Sequence, residues 1–242
     1  MSCNLSNPRS KHFTIDINGK KICYLYIRKN ACSAWKELFK GESKHQYDKE
    51  KYPNPVSFMG EFHKSDLESN FKYKIMIVRE PLGRVVSRYL NQFVLRLERE
   101  NNLHQSVSEQ LGCAPENVTF KDFVHIYLRD VKLSYVDAHF WTQQSHMANV
   151  QYEKILLKNL HKSMADIIGK ELSDKYFSKK LNSTSNFKKY EVSSDDVDAI
   201  ELFHKFKKGE GLPTVESFLS PSIKAHLLSQ YSKDIELYES VK

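Results

Sequence analysis

The chain has 242 residues, 40% of them apolar and 12% aromatic, and a net charge of +7 from 37 basic and 30 acidic side chains. That is enough to build one α/β core, and it excludes a disordered or collagen-like chain. The charge admits an anionic ligand, nucleic acid or acidic polysaccharide, although acids are interleaved with bases in segments such as Leu95 to Asn101.

Four cysteines (Cys3, Cys23, Cys32, Cys113) form no C-x-x-C pattern. No run approaches 18 apolar residues, and the first residues contain no leader-like apolar stretch. The expectation is a single domain, 1–242, with 1–11 a loose N-terminal segment, in a reducing, cytoplasmic compartment without a membrane span.

In chain order, Phe13–Ile17, Asn18-Gly19 and Ile22–Ile27 read as a hairpin with a two-residue turn. Arg28 and Lys29 follow, then a small-residue turn (Asn30, Ala31, Cys32, Ser33), then a helix over Trp35–Phe39 ended by Gly41. Residues 42–55 are polar, with two prolines, and read as a loop; Val56–Met59 reads as a short strand before Glu61 and His63.

Tyr73–Val78 is a second buried strand, ending in Arg79. Pro81 then opens a long helix whose apolar stripe is Leu82, Val85, Val86, Tyr89, Leu90, Phe93, Val94 and Leu97, with Arg84, Ser87, Arg88 and Asn91 on the other side.

Residues 96–117 read as a loop or loose helical excursion. Thr119–Leu128 reads as a capped amphipathic helix and 137–144 as irregular. Asn149–Tyr152 reads as a strand, Ile155–Ile168 as a helix, Leu181–Tyr190 as a loop, and Ser194–Phe206 and Ser222–Tyr238 as helices. Alternating strands and helices predict a parallel sheet with helices on both faces, binding its ligand at the carboxyl ends of the strands. Two of those ends are basic, Arg28-Lys29 and Arg79, which suits a doubly anionic ligand.

There is no G-x-x-x-x-G-K-[ST], no G-x-G-x-x-G and no H-E-x-x-H, and the histidines have no metal-ligand spacing. Residues 28–36 (RKNACSAWK) resemble the 5′-phosphosulfate loop of carbohydrate sulfotransferases of the chondroitin/dermatan type, and residues 78–89 (VREPLGRVVSRY) resemble their 3′-phosphate motif. Fainter likenesses run through Phe120–Val124, Asp137–Trp141, Asn182–Thr184 and Tyr231–Tyr238.

The resemblance implies a three-layer αβα fold with a central, mainly parallel sheet, of the P-loop-NTPase-like sulfotransferase type. It also implies transfer of a sulfuryl group from 3′-phosphoadenosine 5′-phosphosulfate (PAPS) to a saccharide hydroxyl, on a polysaccharide, oligosaccharide or glycolipid precursor, with no metal.

By position, Lys29 is implied at the bridging oxygen and sulfonate. Arg28, the backbone of Asn30, Ala31, Cys32, Ser33, Ala34 and Trp35, and the Ser33 hydroxyl are implied at the 5′-phosphate. Arg79 and Ser87 are implied at the 3′-phosphate. Arg28 stands where the family usually has proline, and Ala34 where a polar residue is frequent. Cys32 reads as a packing residue, not a nucleophile.

The base is sought in Gly60-Glu61-Phe62-His63, with Glu61 placed ahead of His63, and His139 third; a structural hydrogen bond is the competing reading of His139. The expected setting is a bacterial cytoplasm. Alternative readings are a nucleotide-dependent kinase of related fold and a basic nucleic-acid-binding module.

Overall fold

The computed structural model describes residues 9–67, 69–99, 101–133, 135–179 and 187–242. The loop likeness at Asn182–Thr184, the residue Cys3 and most of the N-terminal segment lie outside them.

The elements run β1 (His12–Ile17), β2 (Lys20–Leu25), α1 (Cys32–Glu42), α2 (Pro55–Phe62), β3 (Tyr73–Val78) and α3 (Pro81–Arg88). Then come α4 (Asn102–Leu111), α5 (Phe120–Asp122), β4 (Glu153–Leu156), α6 (Leu160–Ile168) and α7 (Lys170–Phe177). The chain ends with β5 (Lys189–Tyr190), α8 (Ala199–Lys207), β6 (Leu212–Pro213), α9 (Pro221–Gln230) and α10 (Ser232–Glu239). The contacts divide the chain, expected as one domain, into two compact units. The first is Met1–Arg79, Gln143–Leu181 and Leu237–Lys242; the second is Glu80–Thr142 and Asn182–Glu236.

The first unit holds a four-stranded sheet in the order β1-β2-β3-β4, antiparallel between β1 and β2 and parallel thereafter. The fold class is mixed α/β, a central, mainly parallel sheet flanked by helices. The β1–β2 turn is the expected Asn18-Gly19, with φ of 53° and 72°, the positive values that favour this pair.

Side chains alternate across the sheet. Ile22, Tyr24, Tyr26, Ile75, Ile77 and Ile155 join a core with Trp35, Leu38, Phe39, Phe58, Met164 and Ile167. Leu25, Ile27, Met76, Val78 and Leu156 join a smaller core with Tyr152 and Leu237. Covering both faces explains why β2 and β3 read as unbroken apolar runs. Each fully buried aliphatic side chain contributes about 1.5–3 kcal/mol.

Two expectations shift here. Val56–Met59 is helical, not extended: Asn54 accepts from Val56 N and Pro55 occupies the first turn, a strong helix start. The fourth strand is Glu153–Leu156, four residues later than expected, and takes the first two residues of the expected helix. The helix after β2 also runs through Gly41. Glycine is needed there because a Cβ would collide with the Tyr176 hydroxyl.

The second unit packs α3, α4, α5, α8 and α9 around one core from Leu82 to Tyr231. After α3 the chain continues as a π-helix over Tyr89–Phe93 and a 3₁₀ turn over Val94–Arg96, so the long expected helix is three helical geometries in succession. A second π segment, Phe123–Tyr127, follows α5, and Phe123 meets Tyr89 and Phe93 at ring separations of 5.2 and 5.6 Å.

The stretch 96–117, expected as a loop or loose helix, contains α4, capped by the Asn101 side chain and closed by Gly112 at φ 69°. The expected C-terminal helix breaks at Tyr231 into α9 and α10. No helix among the described residues is long and apolar enough to cross a membrane.

Candidate functional site

In the first unit β2 delivers the chain through buried Tyr26 and Ile27 to Arg28 and Lys29. Tyr24 stacks on Trp35 at 4.2 Å between ring centroids, which fixes α1 against its strand. Lys29 has φ 67° and Ala31 φ 57°, both left-handed, a conformation that costs a residue bearing a Cβ about 1–2 kcal/mol. Alternating conformations of this kind turn successive N–H groups toward one side and make an anion-binding concavity.

Ala31 is the N-cap of α1 and supplies no side-chain hydrogen bond. This 11-residue helix therefore starts without the N-cap side chain that usually meets the first N–H groups, and its positive end lies at the turn. Arg28, Asn30, Cys32, Ser33, Ala34 and Trp35 are thus brought into one turn with Lys29.

The strand end of β3 joins that turn. Arg79 Nη1 donates to the Lys29 carbonyl at 3.1 Å. Asn30 is 1% exposed and donates from Nδ2 to Ile77 O at 2.7 Å and to Gln143 Oε1 at 2.5 Å. Gln143, fully buried, accepts from Arg79 N and donates to Arg79 O, both at 2.9 Å. Gln143 was not anticipated: it stands beside Gln144 in a segment without periodicity, and nothing in the sequence separates the buried amide from the exposed one.

In the second unit α3 begins differently. Glu80 accepts from Leu82 N at 2.9 Å and from Gly83 N at 2.6 Å. The helix caps itself with a carboxylate, as α1 does not. A Cβ at Gly83 would lie 2.8 Å from Glu80 Oε2, so a side chain there would make the capping carboxylate shift.

Ser87 lies on α3 and is 5% exposed. Its face, with Arg84 and Arg88, opposite the apolar stripe, is buried as well. Arg84 donates from Nη2 to Trp141 O at 2.9 Å and pairs across 3.8 Å with Asp234, and Tyr231 donates to Phe140 O at 2.6 Å. Burial drives the Tyr231 phenol well above its ordinary pKa, against the lowering effect of Arg84 and Arg88.

The three candidate bases sit in different settings. His63 Nδ1 faces Thr14 O and Nε2 faces Ser43 Oγ, each at 2.9 Å. A carbonyl can only accept, so Nδ1 donates and Nε2 accepts from the serine. Ser43 is the C-cap of α1, and 11 residues at about 1.5 Å each put roughly 16 Å of helix between it and the Ala31 turn.

The structure therefore does not bring His63 to Lys29. Glu61, two residues earlier on the last turn of α2, is exposed and pairs at 3.5 Å with Lys51. Burial also lowers the His63 pKa.

His139, in the second unit, is held by Asp137: Oδ1 accepts from its backbone N at 2.7 Å and from Nδ1 at 2.6 Å. The loop is braced by Asp137 N donating to Tyr127 Oη at 2.8 Å and Trp141 Nε1 donating to Val136 O at 2.7 Å. With Nδ1 fixed as donor, the neutral ring carries its lone pair on Nε2.

Comparisons with known proteins agree with these motifs. The profile of the sulfotransferase family matches residues 11–239. Carbohydrate sulfotransferase 11 of Danio rerio is 30% identical over 97 residues, 36% of this chain and 27% of that protein. The match thus spans about a quarter of the curated relative. No solved structure matches.

Proposed function

The chain belongs to the sulfotransferase family, and from that premise we propose that it moves a sulfuryl group from PAPS to a saccharide hydroxyl, on a polysaccharide, oligosaccharide or glycolipid precursor. The observation that carries the reading is the turn between β2 and α1, where two left-handed residues and an uncapped helix start gather beside three basic side chains. Such a cradle fits a phosphosulfate better than a neutral ligand. The relative's name supports a carbohydrate acceptor.

PAPS, when bound, supplies the sulfuryl group, and adenosine 3′,5′-bisphosphate is the other product. Main-chain N–H groups of residues 30–35 and the Ser33 hydroxyl hold the 5′-phosphate, with Arg28 adding charge. Lys29 places an ammonium where negative charge builds as the sulfuryl group departs, so its stabilisation is greatest in the transition state. Arg79 and Ser87 are assigned to the 3′-phosphate, Arg79 for the two-pronged reach of a guanidinium.

His139 Nε2 takes the proton of the acceptor hydroxyl, and Asp137 holds the ring and stabilises the imidazolium. Glu61 and His63, with the settings described above, are the competing assignments. A bacterial cytoplasm belongs to the same proposal; Cys23, Cys32 and Cys113 being free cysteines supports only its reducing character.

The test is calorimetry with adenosine 3′,5′-bisphosphate, 5′-AMP and ADP. Low-micromolar binding of the bisphosphate, with 5′-AMP and ADP much weaker, is expected. Equal binding of ADP would favour a kinase, and no binding of the three would remove the PAPS reading.

A further inference from the structure

We propose that Gln143 is a positioning residue that ties the Arg28–Ala31 turn to Arg79, so that the two phosphates of an adenosine 3′,5′-bisphosphate are gripped as one ligand. This rests on the PAPS reading and goes beyond it, because nothing in the motifs assigns a role to Gln143.

The contacts close on themselves. Asn30 Nδ2 donates to Gln143 Oε1, which also accepts from Arg79 N. Gln143 Nε2 donates to Arg79 O. Arg79 Nη1 returns to the carbonyl of Lys29, the residue preceding Asn30. The ring runs through two side-chain amides, and the atom assignment of Gln143 is forced. Only an oxygen can face Arg79 N–H, and only an NH₂ can face Arg79 C=O.

Asn30 is fixed the same way, since its two contacts, Ile77 O and Gln143 Oε1, are both acceptors. A fully buried amide that meets both main-chain groups of one residue holds that residue's backbone in place. That residue is the arginine assigned to the 3′-phosphate, and Asn30 lies inside the 5′-phosphate turn. Moving either anion-binding element strains the other through Gln143.

A glutamine needed only for folding would lower stability and leave ligand preference alone. Gln143→Met keeps the length and removes the hydrogen bonds. Gln143→Glu keeps the acceptor and turns the donor into a titratable oxygen facing Arg79 O. When ionised that oxygen repels the carbonyl; when protonated it donates and restores the ring. Burial raises such a carboxyl's pKa, which brings the change into an accessible range.

The experiment measures bisphosphate and 5′-AMP affinities from pH 5.5 to 8, with a melting temperature for each variant. The expected result for Gln143→Met is a bisphosphate preference reduced about tenfold or more, with 5′-AMP affinity changed less than about threefold, the loss of one charge-assisted grip. Gln143→Glu is expected to lose the preference at pH 8 and recover it as the pH falls, and this series decides the matter if the methionine variant does not fold.

An unchanged preference in Gln143→Met, or one in Gln143→Glu that does not vary with pH, would overturn the coupling. So would a parallel loss of both ligands with the melting temperature. A wild-type protein with no preference for the bisphosphate would instead overturn the PAPS reading beneath it.

Discussion

Arg79 holds Lys29 by its main chain: Nη1 donates to the Lys29 carbonyl at 3.1 Å. The contact leaves the lysine ammonium untouched and pins the backbone that aims it, in a conformation, φ 67°, that lysine otherwise avoids. Under the proposed function the arginine has two duties, one to the nucleotide and one to the turn. Arg79→Lys keeps the charge but cannot span both with a planar fork. Bisphosphate affinity is expected to fall about ten- to a hundredfold, the worth of one charge-assisted bond, as calorimetry would show. Retention of wild-type affinity would mean that charge alone suffices.

Lys29 and Ala31 share the left-handed conformation, so glycine relieves strain at either place. Glycine also gains freedom in the unfolded chain, which offsets about 0.4–1 kcal/mol of the relief. Ala31→Gly is expected to leave stability unchanged or raise it by up to about 1 kcal/mol, with turnover retained. Lys29→Gly should match it in stability yet lose about a hundred- to a thousandfold in turnover with the ammonium. Denaturant midpoints set against steady-state rates separate the two. Equal turnover in both variants would strip Lys29 of its catalytic role.

The start of α3 depends on one carboxylate and one missing Cβ. Gly83→Ala places a methyl 2.8 Å from Glu80 Oε2 and must displace it from Leu82 N and Gly83 N. Loss of such a cap costs about 0.5–2 kcal/mol. Glu80→Ala removes the same bonds by another route, so the double variant should be little worse than the poorer single one. Additive losses, measured by urea unfolding, would show that Gly83 acts in some other way.

Much of this was legible in the residues, for reasons that differ from element to element. β2 and β3 were readable because both faces of their sheet are covered, giving apolar runs no helix of that length explains. The Asn18-Gly19 turn was readable because few other pairs accept two positive φ values. Val56–Met59 misled because so short a stretch, three apolar residues and a serine, shows no period; Asn54 and Pro55, the helix-start signal, stood just before it.

The burial of the α3 face bearing Arg84 and Arg88 was not legible, for another reason. Charged residues opposite an apolar stripe usually meet water, and here Trp141 O and Asp234 receive Arg84 inside the unit. Those partners lie 57 and 150 positions away, and local pattern carries no trace of them. Gln143 was hidden in the same way.

Stability should fall in mild acid. His12 is buried against Tyr152 Oη at 2.7 Å, with Ser10 Oγ at 3.3 Å from its other nitrogen, and burial lowers its pKa from 6.5 to about 4. The folded pKa is below the unfolded one, so the folded chain binds fewer protons. The stabilisation is complete above pH 6.5 and is lost as the pH falls toward 4, amounting to about 3 kcal/mol in all. Burial lowers the His63 pKa in the same direction. Urea midpoints between pH 8 and 4 should drop accordingly, and His12→Gln should flatten the profile. An equally steep profile in that variant would place the titration elsewhere.

The base is the part of the proposal that single substitutions separate most cleanly. Of the two histidines, His139 is the one whose Nδ1 is held by a carboxylate, at 2.6 Å, the pairing that stabilises an imidazolium. His63 has both nitrogens committed to Thr14 and Ser43, and Glu61 leans on Lys51. His139→Gln is expected to lower kcat about a hundred- to ten-thousandfold while bisphosphate affinity holds, because a base acts on the acceptor and not on the nucleotide.

Asp137→Asn should fall less in rate and should shift the acid limb of the pH–rate profile downward, since the ring loses the carboxylate that favours its proton. His63→Gln should instead cost stability, through a buried ring taken from Thr14 and Ser43, with kcat near wild type once the protein is folded. A full-rate His139→Gln enzyme, or a His63→Gln enzyme that folds normally and is inactive, would return the base to the α2 end of the chain.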